Sequence, residues 1–208
     1  MSDAPWICTP SVYSGYARKY ANSFVGTESQ DQGKEWGERN WAGYPLPAES
    51  FPAAIFATQA SKDTAYKLPH LFSDANFWVV SDKVCNIMKE ADLGEGNLYP
   101  VKVLQVDRQT PVGGYWYCLN FGNRRSGLLV EQSARMYETY VYGGTKAWMP
   151  KETRNDGDIV LDSAVLAGPE IWIDPVVADA FFLSARLGSA LKSAKVDKAF
   201  QMTRCGVV

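Results

Sequence analysis

Proton transfer and nucleophilic attack at neutral pH need a small set of side chains, and this chain of 208 residues holds few of them. Its one histidine is His70, in Leu68-Pro69-His70-Leu71-Phe72. A cysteine–histidine or serine–histidine pair would have to use it, with Cys8, Cys85, Cys118, Cys205 or a serine folded against the ring. No nucleophile elbow of the GxSxG type is present. A histidine without a recognisable partner reads as a loop residue. Metal chemistry has as little to work with, since no two cysteines sit close together and no HExxH occurs. Asn155-Asp156-Gly157-Asp158 has the flavour of a calcium loop, but its twelfth position is Leu166 where a glutamate is required, so it reads as a turn. Gly94-Glu95-Gly96 follows a helical pattern instead of opening one, which suits a helix stop and not a phosphate cradle. The residues therefore imply no catalytic set, no metal and no cofactor, and the chain is expected not to be an enzyme.

The elements that would position any site are clearer. One stretch is used twice, at Phe77 to Leu104 and at Ala180 to Cys205. Ser81 pairs with Ser184 at an offset of 103 residues, and the same offset sets Lys83 on Arg186, Val84 on Leu187, Met88 on Leu191, Lys89 on Lys192 and Ala91 on Ala194. Each copy begins with an apolar run suited to a buried strand, Trp78-Val79-Val80 or Phe181-Phe182-Leu183. A serine follows, where a hydroxyl can accept from the free N–H groups of a helix start. Val84, Ile87, Met88 and Ala91, and then Leu187, Ala190, Leu191 and Ala194, make one apolar stripe per helix. A second strand closes each copy. Two strand–helix–strand units are expected, with both stripes buried.

Elsewhere the pattern is mostly strand. Tyr115 to Phe121 alternates after the turn-rich link Asp107 to Gly114 and should pair with the preceding strand as a hairpin. Met136 to Tyr142, Asp158 to Leu161 and Glu170 to Ile173 read as further strands, and Pro150 to Gly157 as a charged loop. Residues 1–67 are the least legible. Ser11 to Phe24 has helical spacing, Glu28 to Arg39 is a helix or a solvated loop, Pro45, Pro47 and Pro52 interrupt regular structure, and Ala53 to Ala60 is a helix or a strand. Residues 1–67 are expected to wrap a core formed by residues 68–208. The fold class expected is α+β, with antiparallel-rich sheets carrying the two repeated units.

Bulk composition narrows the partner classes. A 46% hydrophobic and 21% charged chain is ordinary for a soluble globular protein, and a net charge of −2 argues against bare nucleic acid as the main partner. No apolar run approaches the roughly 20 residues that span a bilayer. The first residues lack the layout of a secretory signal, so a reduced, cytoplasmic protein is expected. With 7 Trp, 11 Tyr and 9 Phe, the chain has material for core strands and for binding anchors. Stacking of bases on these rings beside Arg124 and Arg125 is the weaker use, given the slightly negative charge.

The strand–Ser–helix–strand pattern at mid-chain, Leu68-Pro69 before it, the Trp172/Asp174 pair in Ile171-Trp172-Ile173-Asp174-Pro175, and the closing FFLSARLGSALKSAKV together resemble the immunity protein eleven family. These are bacterial antidotes encoded beside polymorphic toxins, and the resemblance covers roughly residues 68–205. It implies a protein that binds a cognate toxin in the cytoplasm, the C-terminal domain of a secreted effector, with no nucleic acid or membrane partner. Recognition then belongs to segments between the repeated units, because those units are spent on stripes and strands. Two segments combine aromatics with charge. One holds Trp36, Glu38, Arg39, Trp41 and Tyr44; the other holds Tyr140, Tyr142, Trp148, Glu152, Asp156 and Asp158. The alternatives are a small-ligand-binding or sensor domain with an aromatic pocket, and a hydrolase using His70. A deep apolar cavity would favour the first alternative, and a nucleophile within hydrogen-bond reach of His70 the second.

Overall fold

The computed structural model describes residues 4–10, 24–25, 30–57, 68–73, 77–141 and 144–208. In chain order the strands are β1 (Trp6–Cys8), β2 (Phe24–Val25), β3 (Ala54–Ala57), β4 (Leu71–Ser73), β5 (Trp78–Ser81), β6 (Asn97–Leu104), β7 (Trp116–Asn120), β8 (Met136–Val141), β9 (Thr145–Pro150), β10 (Val160–Leu161), β11 (Ile171–Trp172), β12 (Phe181–Leu183), β13 (Met202–Arg204) and β14 (Gly206–Val207). The α-helices are α1 (Gln30–Trp41), α2 (Asp82–Lys89) and α3 (Ala185–Ser193). The fold is α+β. A six-stranded sheet has the order β2-β3-β6-β7-β5-β4, and a four-stranded sheet has the order β11-β12-β1-β13.

The two repeated units build the same arrangement. In the first, β5 and β6 flank β7 and run antiparallel to it, with β4 outside β5. In the second, β12 and β13 flank β1 and run antiparallel to it, with β11 outside β12. Each helix starts where its sequence says it should. Ser81 is extended, at φ −72° and ψ 163°, and its hydroxyl accepts from the Val84 amide at 3.4 Å; Ser184 accepts from the Leu187 amide at 3.0 Å. Val84, Met88, Leu187 and Leu191 are buried in one core with Trp78, Val80 and Leu119 of the larger sheet and Trp6, Phe181 and Leu183 of the smaller. Ile87 and Ala190 depart from the expectation: both are half-buried, at the edge of their stripes.

The helices lie side by side and cap each other. Lys83, at the start of α2, donates to the carbonyl of Ala194 at the end of α3 at 2.7 Å. Arg186, the residue that the repeat sets on Lys83, donates to the carbonyl of Glu90 at the end of α2 at 2.9 Å. A cation at a helix C-terminus satisfies a free carbonyl and opposes the negative end of the helix dipole. A second matched pair stands further along: Lys89 lies over the Tyr117 ring of β7 at 5.4 Å, and Lys192 over the Trp6 ring of β1 at 4.8 Å. Tyr117 and Trp6 occupy equivalent places, opposite Val80 and Leu183.

Residues 1–67 do more than wrap a core. β1 fills the centre of the smaller sheet, and β3 runs parallel to β6 inside the larger one. Fully buried Asn40 of α1 donates to the Leu119 carbonyl at 2.9 Å and accepts from the Phe121 amide at 3.1 Å. The described part of Ala53 to Ala60 is a strand, and Glu28 to Arg39 is helical where described. Residues 11–23, with most of the expected Ser11 to Phe24 helix, lie outside the described residues. Gly94 is left-handed at φ 55° but is not the helix stop: α2 ends at Glu90, and Gly94 serves the turn into β6, its amide donating to Asp92.

Packing of α3 on β1 depends on a missing side chain. A Cβ built on Gly188 would stand 2.1 Å from the Trp6 ring. The first unit has Cys85 at this place, facing Tyr117 instead of a tryptophan. Gly188→Ala should gain about 1 kcal/mol of helix propensity and lose about 1–3 kcal/mol to overpacking against a ring that cannot retreat. The expected net result is a lower urea midpoint with unchanged slope; a higher midpoint would contradict the packing described.

Candidate functional site

His70 stands just before β4, and its Nδ1 lies 2.8 Å from the Ser81 hydroxyl. A serine within reach of the only histidine is the feature that a hydrolase would need. This meets the condition set above for the hydrolase reading, and the same serine also caps α2. Ser81 is 5% exposed, and its oxygen already accepts from the Val84 amide. The Ser81 oxygen keeps a second lone pair as well as its own proton, so the bond to Nδ1 runs in the direction that the imidazole tautomer sets. Nε2 has no hydrogen-bond partner among the described residues. The Lys83 amide, which could have faced an oxyanion, is taken by the Asp82 carboxylate at 2.8 Å.

The second unit repeats the pair without a base suited to catalysis. Ser184 donates to Glu170 Oε1 at 2.7 Å while accepting from the Leu187 amide. The backbone repeats as well: the Ser81 amide donates to the His70 carbonyl at 3.1 Å, and the Ser184 amide to the Glu170 carbonyl at 2.8 Å. His70 and Glu170 are thus the same structural position, a side-chain partner that orients the cap serine. Burial, with Lys83 nearby, holds the His70 imidazole below its ordinary 6.5, against an opposing pull from Asp82. Burial pushes the Glu170 carboxyl up, but hydrogen bonds from Arg186, Ser184 and the Asp92 amide leave it below its ordinary 4.5.

The four cysteines are buried and unpaired to one another. Burial pushes the Cys205 thiol up to about 12 and raises those of Cys8 and Cys85 above their ordinary range, which disfavours the thiolate that attacks. Among the described residues no group of three or more His, Cys, Asp or Glu could hold a metal ion. Asn155 to Asp158 is a turn, with the Asn155 amide donating to Asp158 Oδ2 at 2.7 Å.

The two aromatic segments fare differently. Trp36, Glu38, Arg39 and Trp41 lie on α1 and not in a loop. Trp41 is half-buried against Trp78 and Phe121, with ring centroids 5.7 and 5.6 Å away, so it serves the core. Trp36 packs half-buried on the other face of the larger sheet, Glu38 is half-buried and Arg39 is exposed. Tyr44 is exposed, with the Arg124 guanidinium 4.4 Å above its ring. In the second segment β8 and β9 form a hairpin; β9 was not foreseen from the sequence. Tyr140 is 64% exposed on it, and Tyr137, which opens the second candidate segment, Tyr137 to Asp158, is 41% exposed. Trp148 is half-buried beneath Lys146, and Lys146 pairs with Glu138 at 2.8 Å. Glu152 is exposed; Asp156 accepts from the Arg204 amide at 2.9 Å, and half-buried Asp158 is committed to its turn. Tyr142 lies outside the described residues. An open groove of about 610 Å³ runs between α1 and β6, lined by Trp36, Glu49, Phe51 and Tyr99 among others.

Asn123, which sequence reasoning does not single out, and the Trp172/Asp174 pair, which it does, organise the molecule. Asn123 donates to the carbonyls of Leu93, Phe121 and Ile171 and accepts from the Glu95 amide, joining the two sheets. Buried Asp174 accepts from the amides of Gly127, Leu128 and Val176, and the neighbouring Trp172 lies under Arg125 at 5.4 Å. The Trp172/Asp174 pair is therefore structural. No helix among the described residues is long and apolar enough to cross a membrane. No protein-family model and no curated protein matches the chain.

The depressed imidazole gives a signed pH dependence. Below pH 6.5 the unfolded chain takes up the His70 proton before the folded one does. The contribution is thus complete above pH 6.5 and lost as pH falls through the folded value. Urea unfolding of the native chain should weaken over that window relative to His70→Ala, whose stability should be flatter there. Parallel curves for the two would contradict the buried neutral imidazole.

Proposed function

We propose that this chain is an immunity protein, which binds a cognate bacterial toxin and neutralises it by contact, with no chemistry of its own. The partner class comes from the resemblance over roughly residues 68–205. The observation that supports a binding role most is the β8–β9 hairpin, where exposed Tyr140 shares a face with half-buried Trp148 and the Glu138–Lys146 ion pair, while exposed Tyr137 stands on the other face beside Met149. Aromatic anchors within a charged surround are the composition in which binding energy concentrates. Ser81 within reach of His70 favours the hydrolase reading, and we weigh against it the Glu170–Ser184 pair, which offers the same geometry in a helix-capping role.

The test is to express the toxin domain encoded beside this gene, with and without this chain, and to score growth and binding. Protection and a stoichiometric complex are expected. Tyr140→Ala should weaken the complex about tenfold or more with an unchanged melting temperature, since that side chain is largely in solvent. His70→Ala, folded by circular dichroism, should still protect. Absence of a complex would contradict the reading, and loss of protection by folded His70→Ala would point to catalysis.

A further inference from the structure

The hairpin carries more than aromatic side chains: one of its edges is open. Trp148 sits opposite Glu138, yet its backbone amide donates to the Val176 carbonyl at 2.8 Å and its carbonyl accepts from the Ala178 amide at 2.9 Å. Both groups therefore point away from β8. In an antiparallel pair the hydrogen-bonded and non-hydrogen-bonded positions alternate. Glu138, like Met136 and Tyr140, then turns its own N–H and C=O outward, while Tyr137, Thr139 and Val141 bond across to β9. The Lys151 amide donates to the Arg135 carbonyl at 2.7 Å, one step further along, in keeping with this alternation. Among the described residues nothing hydrogen-bonds to the outward backbone groups of Met136, Glu138 and Tyr140. Glu138 and Tyr140 are exposed, so these groups are open to solvent at that end.

We infer that β8 is a docking edge for an extended strand of another protein, which continues the β8–β9 sheet by backbone hydrogen bonds. A row of unpaired amides and carbonyls specifies its occupant chemically, because another extended backbone satisfies both at one spacing. A second copy of this chain is a poor occupant. An antiparallel register that pairs all three outward residues with their own kind sets Met136 on Tyr140 and Glu138 on Glu138. Like charges directly opposite one another oppose such pairing. The same carboxylate, paired across the hairpin with Lys146 but still partly exposed, favours a foreign strand with a basic residue opposite position 138. The inference rests on the proposed function only in naming a toxin as the natural source of that strand.

Proline at 138 separates this from other modes of binding. It removes the outward N–H and blocks the edge, while the hairpin loses no internal hydrogen bond. Glu138→Thr keeps the N–H and serves as the control, and a melting curve shows that the proline variant is folded. Should it not fold, Tyr140→Pro repeats the test at the next outward amide. The probe is a displayed library of random short peptides, selected on the native chain. Enriched peptides are expected to bind Glu138→Thr protein no more than a few-fold more weakly, the loss of one exposed charge contact, to bind Glu138→Pro at least about tenfold more weakly, and to slow hydrogen exchange at the amides of 138 and 140. Failure to enrich any peptide, equal binding to the proline variant, or a dimer of the native chain that Glu138→Pro dissolves would each overturn the inference. Running the neighbouring toxin domain in parallel keeps the two proposals apart: binding unaffected by Glu138→Pro sinks the edge and leaves the immunity reading standing.

Discussion

Two cations, each closing the other helix, set the frame of this molecule. Lys83 and Arg186 occupy equivalent positions just after a cap serine, and each reaches the final carbonyl of the opposite helix. The geometry works only if α2 and α3 are antiparallel and in one register, so it fixes how the two sheets that carry them meet. These exposed contacts are screened by water and salt, and their part is orientation more than strength. Strength comes from the stripes beneath. Val84, Met88, Leu187 and Leu191 are all essentially inaccessible, and full burial of such a side chain is worth about 1.5–3 kcal/mol.

Several other features follow from that duplicated frame. Each cap serine holds a side-chain hydrogen-bond partner at its hydroxyl, His70 in one unit and Glu170 in the other. Arg186 holds Glu170 by an ion pair while also bonding the Glu90 carbonyl, so the second unit joins capping and helix pairing through one guanidinium. In the first unit Lys83 has no such carboxylate and His70 stays neutral. The chemistry differs while the geometry is kept, which is the mark of a structural role. Away from this frame the β8–β9 hairpin is held to the rest of the chain through the Trp148 backbone and through Met136, which packs on the core around Trp172 and Phe182, with Ala147 buried. Its exposed positions, Glu138 and Tyr140 among them, offer surface that can vary at little cost to the core.

Sequence alone carries much of this frame and little of its completion. The repeat, its cap serines and its stripes are legible because each rests on local periodicity and on residues one turn apart. The α+β class follows from them. The central strand of the smaller sheet is not legible: Trp6-Ile7-Cys8 is three residues long, and its partners lie almost the whole chain away at Phe181 to Leu183 and Met202 to Arg204. Asn40 and Asn123 are likewise silent in sequence, and Asp174 is marked there only by the resemblance, since a buried polar hub is defined by backbone groups that tertiary contact brings to it. Among the candidate binding residues, Tyr140 lies in solvent while Trp41 belongs to the core. Aromatic–charged composition alone does not distinguish the two situations. The open edge of β8 depends on the direction of the Trp148 amide, which no pattern of residue types encodes.

The central claim is that two equivalent units fold as one body through the paired helices. Native-state hydrogen exchange under increasing denaturant measures it directly, because it resolves the opening free energy of each helix. The account predicts that the slowest amides of α2 and α3 converge on one opening free energy, equal to that of global unfolding, and that Arg186→Met lowers both together. Separate opening of one helix well below the global value, with the other unaffected by that substitution, would contradict it.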